Sequence, residues 1–187
     1  MADRKALEVY LDLSQPCRAI QFHTRTPQYT KLNPMQMVDN YLRGKILDSR
    51  DAILKYLPRK YNVPSNWYPC HLERRARVDE YTAWHHTNTT TCGQGLYHGG
   101  KTWVTLEKLE NMFLKRQPFL CGDDISLADL LVVCELMQVR SSGVRDILKD
   151  RPKLLSWKSR VQSALGDSFD KAHTVLYRLW DRSNAKL

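Results

Sequence analysis

The chain has 187 residues, an apolar fraction of 42 %, a charged fraction of 26 % and a formal net charge of +9. These values are typical of a globular chain of one or two domains and exclude an intrinsically disordered one. No apolar run approaches the roughly 18 residues that a membrane-spanning helix needs, and residues 1–5 lead into no apolar secretion signal, so we expect a cytoplasmic protein that does not bind membranes.

The positive charge is spread along the chain, with a net +5 in residues 1–69 and a net +4 in residues 70–187. Its densest cluster, Arg74, Arg75 and Arg77, stands among three acidic residues. A run of mixed sign is typical of a solvated helix face, so we do not expect nucleic acid as a partner. A basic nucleic-acid binder remains as an alternative that depends on charge alone.

The five cysteines, at positions 17, 70, 92, 121 and 134, are odd in number and widely spaced. They form no C-x-x-C pair and have no histidine at zinc-ligand spacing. This pattern predicts a reducing compartment and no metal site.

The first third of the chain predicts a mixed α/β unit. Residues 6–13, ALEVYLDL, alternate apolar and polar side chains, which predicts a strand with one buried face. Ser14 follows directly, and Pro16 sits where a helix can begin. Residues 45–47 predict a second short strand, and residues 51–61 predict a helix.

Residues 62–69, NVPSNWYP, are the best candidate for a linker, since they combine two prolines, an asparagine and aromatic side chains that we expect to be exposed. We therefore predict an N-terminal domain over 1–62, a linker over 63–69 and a C-terminal domain over 70–187. The pattern after the linker is helical, with predicted helices at 72–87, 102–115, 126 onward, 152–164 and 169–180.

One helix has a start that local sequence alone defines. Ser126 is the predicted N-cap, Asp129 stands at the third helical position, and Ile125 and Leu130 form a hydrophobic staple. The continuation, LLVVCELM, is apolar on nearly every face, which predicts the central buried helix of the C-terminal domain.

Several motifs in order along the chain resemble the theta class of cytosolic glutathione transferases. They are LSQPCRA at 13–19, KY at 60–61, VP at 63–64, WYP at 67–69, ARVDEY at 76–81, AW at 83–84, FL at 119–120 with Gly122, ISLADL at 125–130, ELMQ at 135–138 and RPKL at 151–154. The resemblance implies an α+β fold, in which a thioredoxin-like N-terminal domain, shortened here, precedes an all-α helical bundle. It also implies a detoxifying homodimer that uses glutathione as co-substrate and a small electrophile as substrate, without a metal.

The resemblance also implies site residues. Ser14 matches the catalytic serine of the theta class, whose hydroxyl would hold glutathione as a thiolate; the alternative is that Ser14 only caps the following helix. Met37 and Val38 match the segment that leads into the loop holding the glutathione backbone. Ser49 and Arg50 fall at the helix start that binds the γ-glutamyl end, although an Arg at a helix start is also commonly just exposed.

The sequence departs from the theta pattern at several positions. Asp39 replaces the cis-proline that follows Val38 in the family. Asn33 and Pro34 resemble the start of the family stretch that continues to Met37 and Val38. Only residues 14–32 separate the first strand from Asn33, whereas a strand, crossover helix and parallel strand need about 30 residues or more, so we expect the second strand to be missing. The theta-class arginine after the fourth helix is also missing from residues 88–91.

Two further features have simple explanations. Cys17 lies near a predicted helix start, where a thiol pKa can fall, but we expect it to pack because no second cysteine lies nearby. His85 and His86 cannot both ligate one metal, and we expect a surface or interface pair.

The departures from the theta pattern leave a second functional hypothesis. In it, the chain is a non-catalytic scaffold or shortened isoform with the transferase fold and impaired glutathione binding.

Overall fold

The computed structural model describes residues 50–88, 100–140 and 147–184. The chain divides into two compact units, Met1–Val63 and Pro64–Leu187. The predicted strands at 6–13 and 45–47 lie outside the described residues, and the described part of the chain contains no strand beyond an isolated bridge between Phe119 and Gly122. No helix in the described ranges is long and apolar enough to span a membrane.

Helix α1 (Arg50–Lys60) belongs to the first unit and confirms the predicted helix within one residue at each end. Ile53 is 3 % exposed and anchors its apolar face. The helix ends just after Pro58, and Asn62 then takes a left-handed conformation with φ of 48°. Asn is one of the few residues other than Gly that accept this conformation, which stops a helix sharply.

The second unit is helical, as the sequence predicted. Its elements are α2 (Leu72–Asn88), α3 (Gly100–Lys108), a π-helical turn (Leu109–Phe113), α4 (Leu127–Arg140), α5 (Pro152–Leu165) and α6 (Asp167–Asn184). The predicted helix over 102–115 is present as α3 and the π-helical turn, which ends at Phe113, and its backbone widens from α to π geometry at Leu109. Gly166, with φ of 51°, makes the sharp turn between α5 and α6.

Helix α4 is the centre of this unit, as its sequence predicted, and packs against α2, α5 and α6. An aliphatic run places apolar side chains on most of its faces, and Val132 and Val133 are each 1 % exposed. The core around it is assembled from all of the helices: Tyr81, Leu106, Leu109, Leu120, Ala128, Val132, Val133, Met137, Leu154, Trp157, Val161 and Phe169.

The segment before α2 is attached to this core. The Leu127 amide donates a hydrogen bond to the Trp67 carbonyl (3.0 Å), and Asn66 Nδ2 donates to the Ile125 carbonyl (2.9 Å). Trp67 is half-buried against the core, and Tyr68 is half-buried as well. The expectation of exposed aromatic side chains here is therefore wrong, because Trp67 packs on the helical unit.

Candidate functional site

The sequence-predicted site residues fall almost entirely outside the described residues. Ser14, Met37, Val38 and Ser49 lie in residues 1–49, and Arg50 is the first residue of α1. The helix start that the sequence places at this point is therefore present. Asp51 occupies the first turn.

The N-terminal end of α1 has the electrostatics of an anion-binding point. The first backbone N–H groups of any α-helix have no partner within the helix, and the helix dipole gives that end a partial positive charge. Ile53, in the first turn of α1, is buried. A helix end of this kind favours an anionic group over a cationic one.

In the second unit, α2 presents one continuous face to the interior. Val78, Tyr81, Thr82 and His85 follow the i, i+3, i+4, i+7 spacing and are all buried. The expectation of a surface or interface position is wrong for His85, which is 1 % exposed. The spacing from Val78 is the signal that could have shown this, because it puts His85 on the same stripe.

An aromatic cluster surrounds this stripe. The Tyr81 ring meets the Phe113 ring edge to face, with centroids 4.9 Å apart, and the Trp84 ring lies 5.0 Å from Phe113. Such pairs contribute about 0.5–1.5 kcal/mol beyond the area that they bury. The cluster therefore fixes the C-terminal half of α2 against the π-helical turn.

His85 is the side chain of this face that reaches a polar group on another helix. Its Nδ1 lies 3.4 Å from the Tyr81 hydroxyl, and its Nε2 lies 3.9 Å from Glu135 Oε1 on α4. The side chain of Glu135 is 14 % exposed. The contact between His85 and Glu135 therefore joins α2 to α4.

The start of α4 is a buried polar centre around Asp129, which is 0 % exposed. Asp129 Oδ2 accepts hydrogen bonds from the Ser126 amide and the Ser126 hydroxyl, both at 2.9 Å. These bonds confirm the predicted N-cap. Asp129 Oδ1 accepts from the Leu120 amide (3.0 Å) and from Trp157 Nε1 on α5 (2.8 Å). Sequence reasoning found the cap but missed these two long-range donors.

Burial also sets the protonation of two groups near this centre. Burial raises the pKa of the Asp129 carboxyl, while the hydrogen bonds from Leu120, Trp157 and Ser126 oppose that shift. Burial, followed by the charge of Asp129, raises the pKa of the Cys121 thiol to about 12. Cys121 is therefore a packed thiol and has no thiolate chemistry near neutral pH.

The basic cluster on α2 is a helix surface, as its mixed charge predicted. Arg77 Nη1 lies 2.9 Å from Glu80 Oε2, and Arg74 is exposed. Arg75 donates to the carbonyls of Pro69 and Cys70 and so closes the N-terminal end of α2. Within the described ranges, no group of three or more His, Cys, Asp or Glu side chains could hold a metal ion.

Comparison with known proteins identifies relatives over most of the chain. Residues 99–164 match the glutathione S-transferase C-terminal domain family. Human glutathione S-transferase theta-1 is 37 % identical over 218 aligned positions, which cover 94 % of this chain and 90 % of the relative. Because 218 positions exceed the 187 residues of this chain, the alignment includes stretches where only the relative has residues.

Two solved structures are similar over nearly the same range. The apo form of human glutathione S-transferase T1-1 has a TM-score of 0.83 and 36 % sequence identity, and covers 94 % of this chain and 91 % of its own. A human theta-class glutathione transferase in complex with the glutathione conjugate of 1-menaphthyl sulfate has a TM-score of 0.82 and 28 % sequence identity. The match covers 97 % of this chain and 91 % of that structure's chain.

Proposed function

Because this chain belongs to the theta class of the glutathione S-transferases, we infer that it conjugates the thiolate of glutathione to electrophilic substrates. The observation that carries this inference is 37 % identity to human theta-1 across 90 % of that enzyme. The human theta-class structure that holds a glutathione conjugate supports glutathione as co-substrate. The reaction needs no metal. The comparisons do not favour the alternative of a non-catalytic scaffold.

Ser14 is the residue that we assign to catalysis. A thiol of ordinary pKa is only a few per cent ionised at pH 7, and the thiolate is the nucleophile. A hydroxyl that donates a hydrogen bond to the glutathione sulfur favours the thiolate, and each unit by which the thiol pKa falls is worth about 1.36 kcal/mol. The sulfur then forms a bond to the electrophilic carbon as the leaving group departs. The LSQPCRA motif at 13–19 supports this role.

Four further residues are assigned to glutathione binding. Met37 and Val38 would hold the tripeptide backbone, and Ser49 and Arg50 would hold the γ-glutamyl end. The position of Arg50 at the start of α1 supports the second assignment, since amides at a helix start bind carboxylates. Asp51, in the first turn, adds a carboxylate suited to the γ-glutamyl ammonium.

The assignment extends to the whole protein. We assign residues 1–62 to a thioredoxin-like glutathione-binding domain, 63–69 to a linker and 70–187 to the helical domain. From membership of the theta class we propose a homodimer that works in detoxification in the cytoplasm, with a small electrophile as second substrate.

The test measures glutathione binding by calorimetry and conjugation of an alkyl halide by the wild type, Ser14→Ala and Ser163→Ala. Ser163 is an exposed serine on α5 and serves as the control. We expect Ser14→Ala to lower kcat/KM at least about tenfold at pH 7, which corresponds to one unit of thiol pKa, while glutathione still binds. Equal turnover in Ser14→Ala would refute the role of Ser14. A wild type that neither binds nor conjugates glutathione would refute the proposed function.

A further inference from the structure

The π-helical turn, Leu109–Phe113, contacts two other helices through residues on different sides of it. Its second residue, Glu110, contacts the start of α5, and its last residue, Phe113, lies in the aromatic cluster on α2. Single π turns inside helices are found frequently at functional sites. None of these contacts has a part in the glutathione chemistry proposed above.

Glu110 caps α5 from outside that helix. Its Oε2 accepts a hydrogen bond from Arg151 Nη1 (3.1 Å), and its Oε1 accepts one from the Leu154 amide (3.3 Å). The side chains of Glu110 and Arg151 are 13 % and 14 % exposed. The Leu154 amide is the third of α5 and has no partner within the helix, and Arg151, at the N-cap position, makes no side-chain cap. Glu110 therefore supplies the acceptor that α5 itself lacks.

Arg151 also contacts the start of α3. Its guanidinium lies 5.4 Å from the centroid of the Trp103 ring, and its Nη2 donates to the Trp103 carbonyl (3.4 Å). Trp103 and Glu110 are seven residues apart, near opposite ends of the segment that α3 and the π-helical turn form. One guanidinium therefore ties both ends of this segment to α5.

The backbone of the turn contains one residue more than a regular α-helix would. The Leu114 amide donates to the Leu109 carbonyl (2.9 Å), five residues back, whereas an α-helical amide reaches four residues back. Leu109 is 1 % exposed and Leu114 5 %, so both ends of this hydrogen bond lie in the core. Between them, Asn111 and Met112 are exposed. The extra residue therefore lies on the exposed side of the turn.

The extra residue also sets the angle between Glu110 and Phe113 about the helix axis. Each residue of the wider π turn advances by less than the about 100° of an α-helix. With this angle, Glu110 reaches α5 while the Phe113 ring lies 4.9 Å from Tyr81 and 5.0 Å from Trp84. If the segment became a regular α-helix with Glu110 in place, Phe113 would rotate relative to these two rings.

We propose that the π-helical turn is a conformational switch that couples the start of α5 to α2. While Arg151 and the Leu154 amide bind Glu110, the turn keeps π geometry and Phe113 stays in the aromatic cluster. Once Glu110 is released, the turn relaxes to α geometry and Phe113 moves against the rings of α2. Coupling between sites needs an element with two discrete arrangements, and the two hydrogen-bond registers of this turn supply them.

The experiment is fluorine NMR of the full chain with 5-fluorotryptophan at its five tryptophan positions, with the Trp84 signal assigned by Trp84→Phe. In Glu110→Gln, we expect the Trp84 signal to shift by more than its linewidth. Glu107→Gln removes an exposed carboxylate one turn earlier on α3 and should leave that signal unchanged. An unchanged Trp84 signal in Glu110→Gln, with a shift of the Trp103 signal alone, would overturn the proposal.

A second variant keeps the test valid if Glu110→Gln does not fold. Loss of one partner leaves a buried charge unpaired, whereas replacement of both partners by apolar residues is often neutral for stability. Glu110→Leu/Arg151→Met therefore releases the turn without an unpaired charge. Circular dichroism checks the fold, and the same shift of the Trp84 signal is expected. A folded double variant with the wild-type Trp84 signal would refute the coupling.

A one-residue deletion tests the π geometry itself. Without Asn111, Leu109 and Leu114 are four residues apart, which is the spacing of an α-helical hydrogen bond. The deletion should therefore leave the urea midpoint near that of the wild type. In the deleted chain only one register remains, so Glu110→Gln should no longer shift the Trp84 signal. A shift as large as in the full-length chain would contradict the two registers.

The matched control is a deletion in a helix without a π turn. Ser159 is exposed on α5 and lies between Trp157 and Val161, which are both 0 % exposed. Its deletion rotates one of these buried side chains out of the core, so the urea midpoint should fall well below that of the Asn111 deletion. Equal falls in the two deletions would mean that the turn holds no extra residue, and would overturn the proposal.

Discussion

Replacement of Asp129 by alanine removes the acceptor at which three parts of the helical unit meet. One carboxylate oxygen binds the Ser126 amide and hydroxyl at the start of α4. The other binds the Leu120 amide and Trp157 Nε1, which come from the preceding turn and from α5. In Asp129→Ala, three buried N–H donors and one hydroxyl lose their acceptor at the same time.

The size of the effect follows from these donors. Leu120 is 1 % exposed, Ser126 2 % and Trp157 0 %, so water does not replace the lost acceptor. A buried donor without a partner costs about 1–3 kcal/mol, and the loss of a helix cap alone costs about 1 kcal/mol. The Ser126 hydroxyl can rotate to another acceptor, and removal of a buried carboxylate recovers its desolvation. We therefore expect a loss of about 4 kcal/mol in the free energy of unfolding, a large share of the roughly 5–15 kcal/mol of a typical domain.

The assay is urea unfolding at pH 7, followed by circular dichroism and tryptophan fluorescence. Asp124→Ala removes an exposed acid nearby and should change the free energy of unfolding by less than about 0.5 kcal/mol. The double variant Asp129→Ala/Trp157→Phe has no indole N–H left without an acceptor. Its loss of unfolding free energy should therefore be smaller than the sum of the losses in the two single variants by about 1 kcal/mol. A loss below about 1 kcal/mol for Asp129→Ala, or strict additivity in the double variant, would refute the reasoning.

Two further predictions concern protonation. Burial lowers the pKa of His173 from 6.5, so the unfolded chain binds a proton at a higher pH than the folded chain does, and the fold loses stability as the pH falls through about 6.5. Between pH 7 and pH 5, the free energy of unfolding should therefore fall less for His173→Gln than for the wild type. An equal fall in the two proteins would contradict the assignment. A pKa of about 12 leaves Cys121 with about a thousandth of the thiolate of a cysteine at 9.0. Iodoacetamide followed by mass spectrometry should therefore modify the exposed Cys70 long before Cys121, and equal rates would contradict the burial of Cys121.

Local sequence predicted the helical unit well where short-range physics decides the structure. The start of α4 at Leu127 follows from Ser126 and Asp129, because the cap bonds join residues three positions apart. The ends of α1, α2 and α5 also agree with the sequence pattern within about two residues, which is the usual uncertainty of helix ends.

The parts that could not be predicted depend on residues far apart in the chain. The Trp157 indole lies 28 residues from Asp129, and no spacing rule connects the two. Trp103 has the spacing of a core residue but is 49 % exposed, and the Arg151 guanidinium lies 5.4 Å from its ring centroid. The π turn at Leu109 has no proline or glycine to mark it, and its last residue, Phe113, packs on Tyr81 and Trp84, which lie about 30 residues earlier in the chain.

The residues assigned to glutathione chemistry and the buried contacts that stabilise the helical unit lie in separate stretches of this chain. Variants can therefore distinguish an effect on turnover from an effect on the free energy of unfolding. The assigned glutathione residues, Ser14 to Arg50, precede Pro64, whereas the buried polar contacts of Asp129 lie entirely within Pro64–Leu187. Ser14→Ala should therefore change turnover and leave urea unfolding of the helices unchanged, while Asp129→Ala should lower the unfolding free energy first. If the first unit failed to hold glutathione, binding and conjugation would be lost together while the helices still unfolded at the same urea concentration. A variant of Ser14 that unfolded earlier, with turnover per folded molecule unchanged, would instead make Ser14 a helix cap.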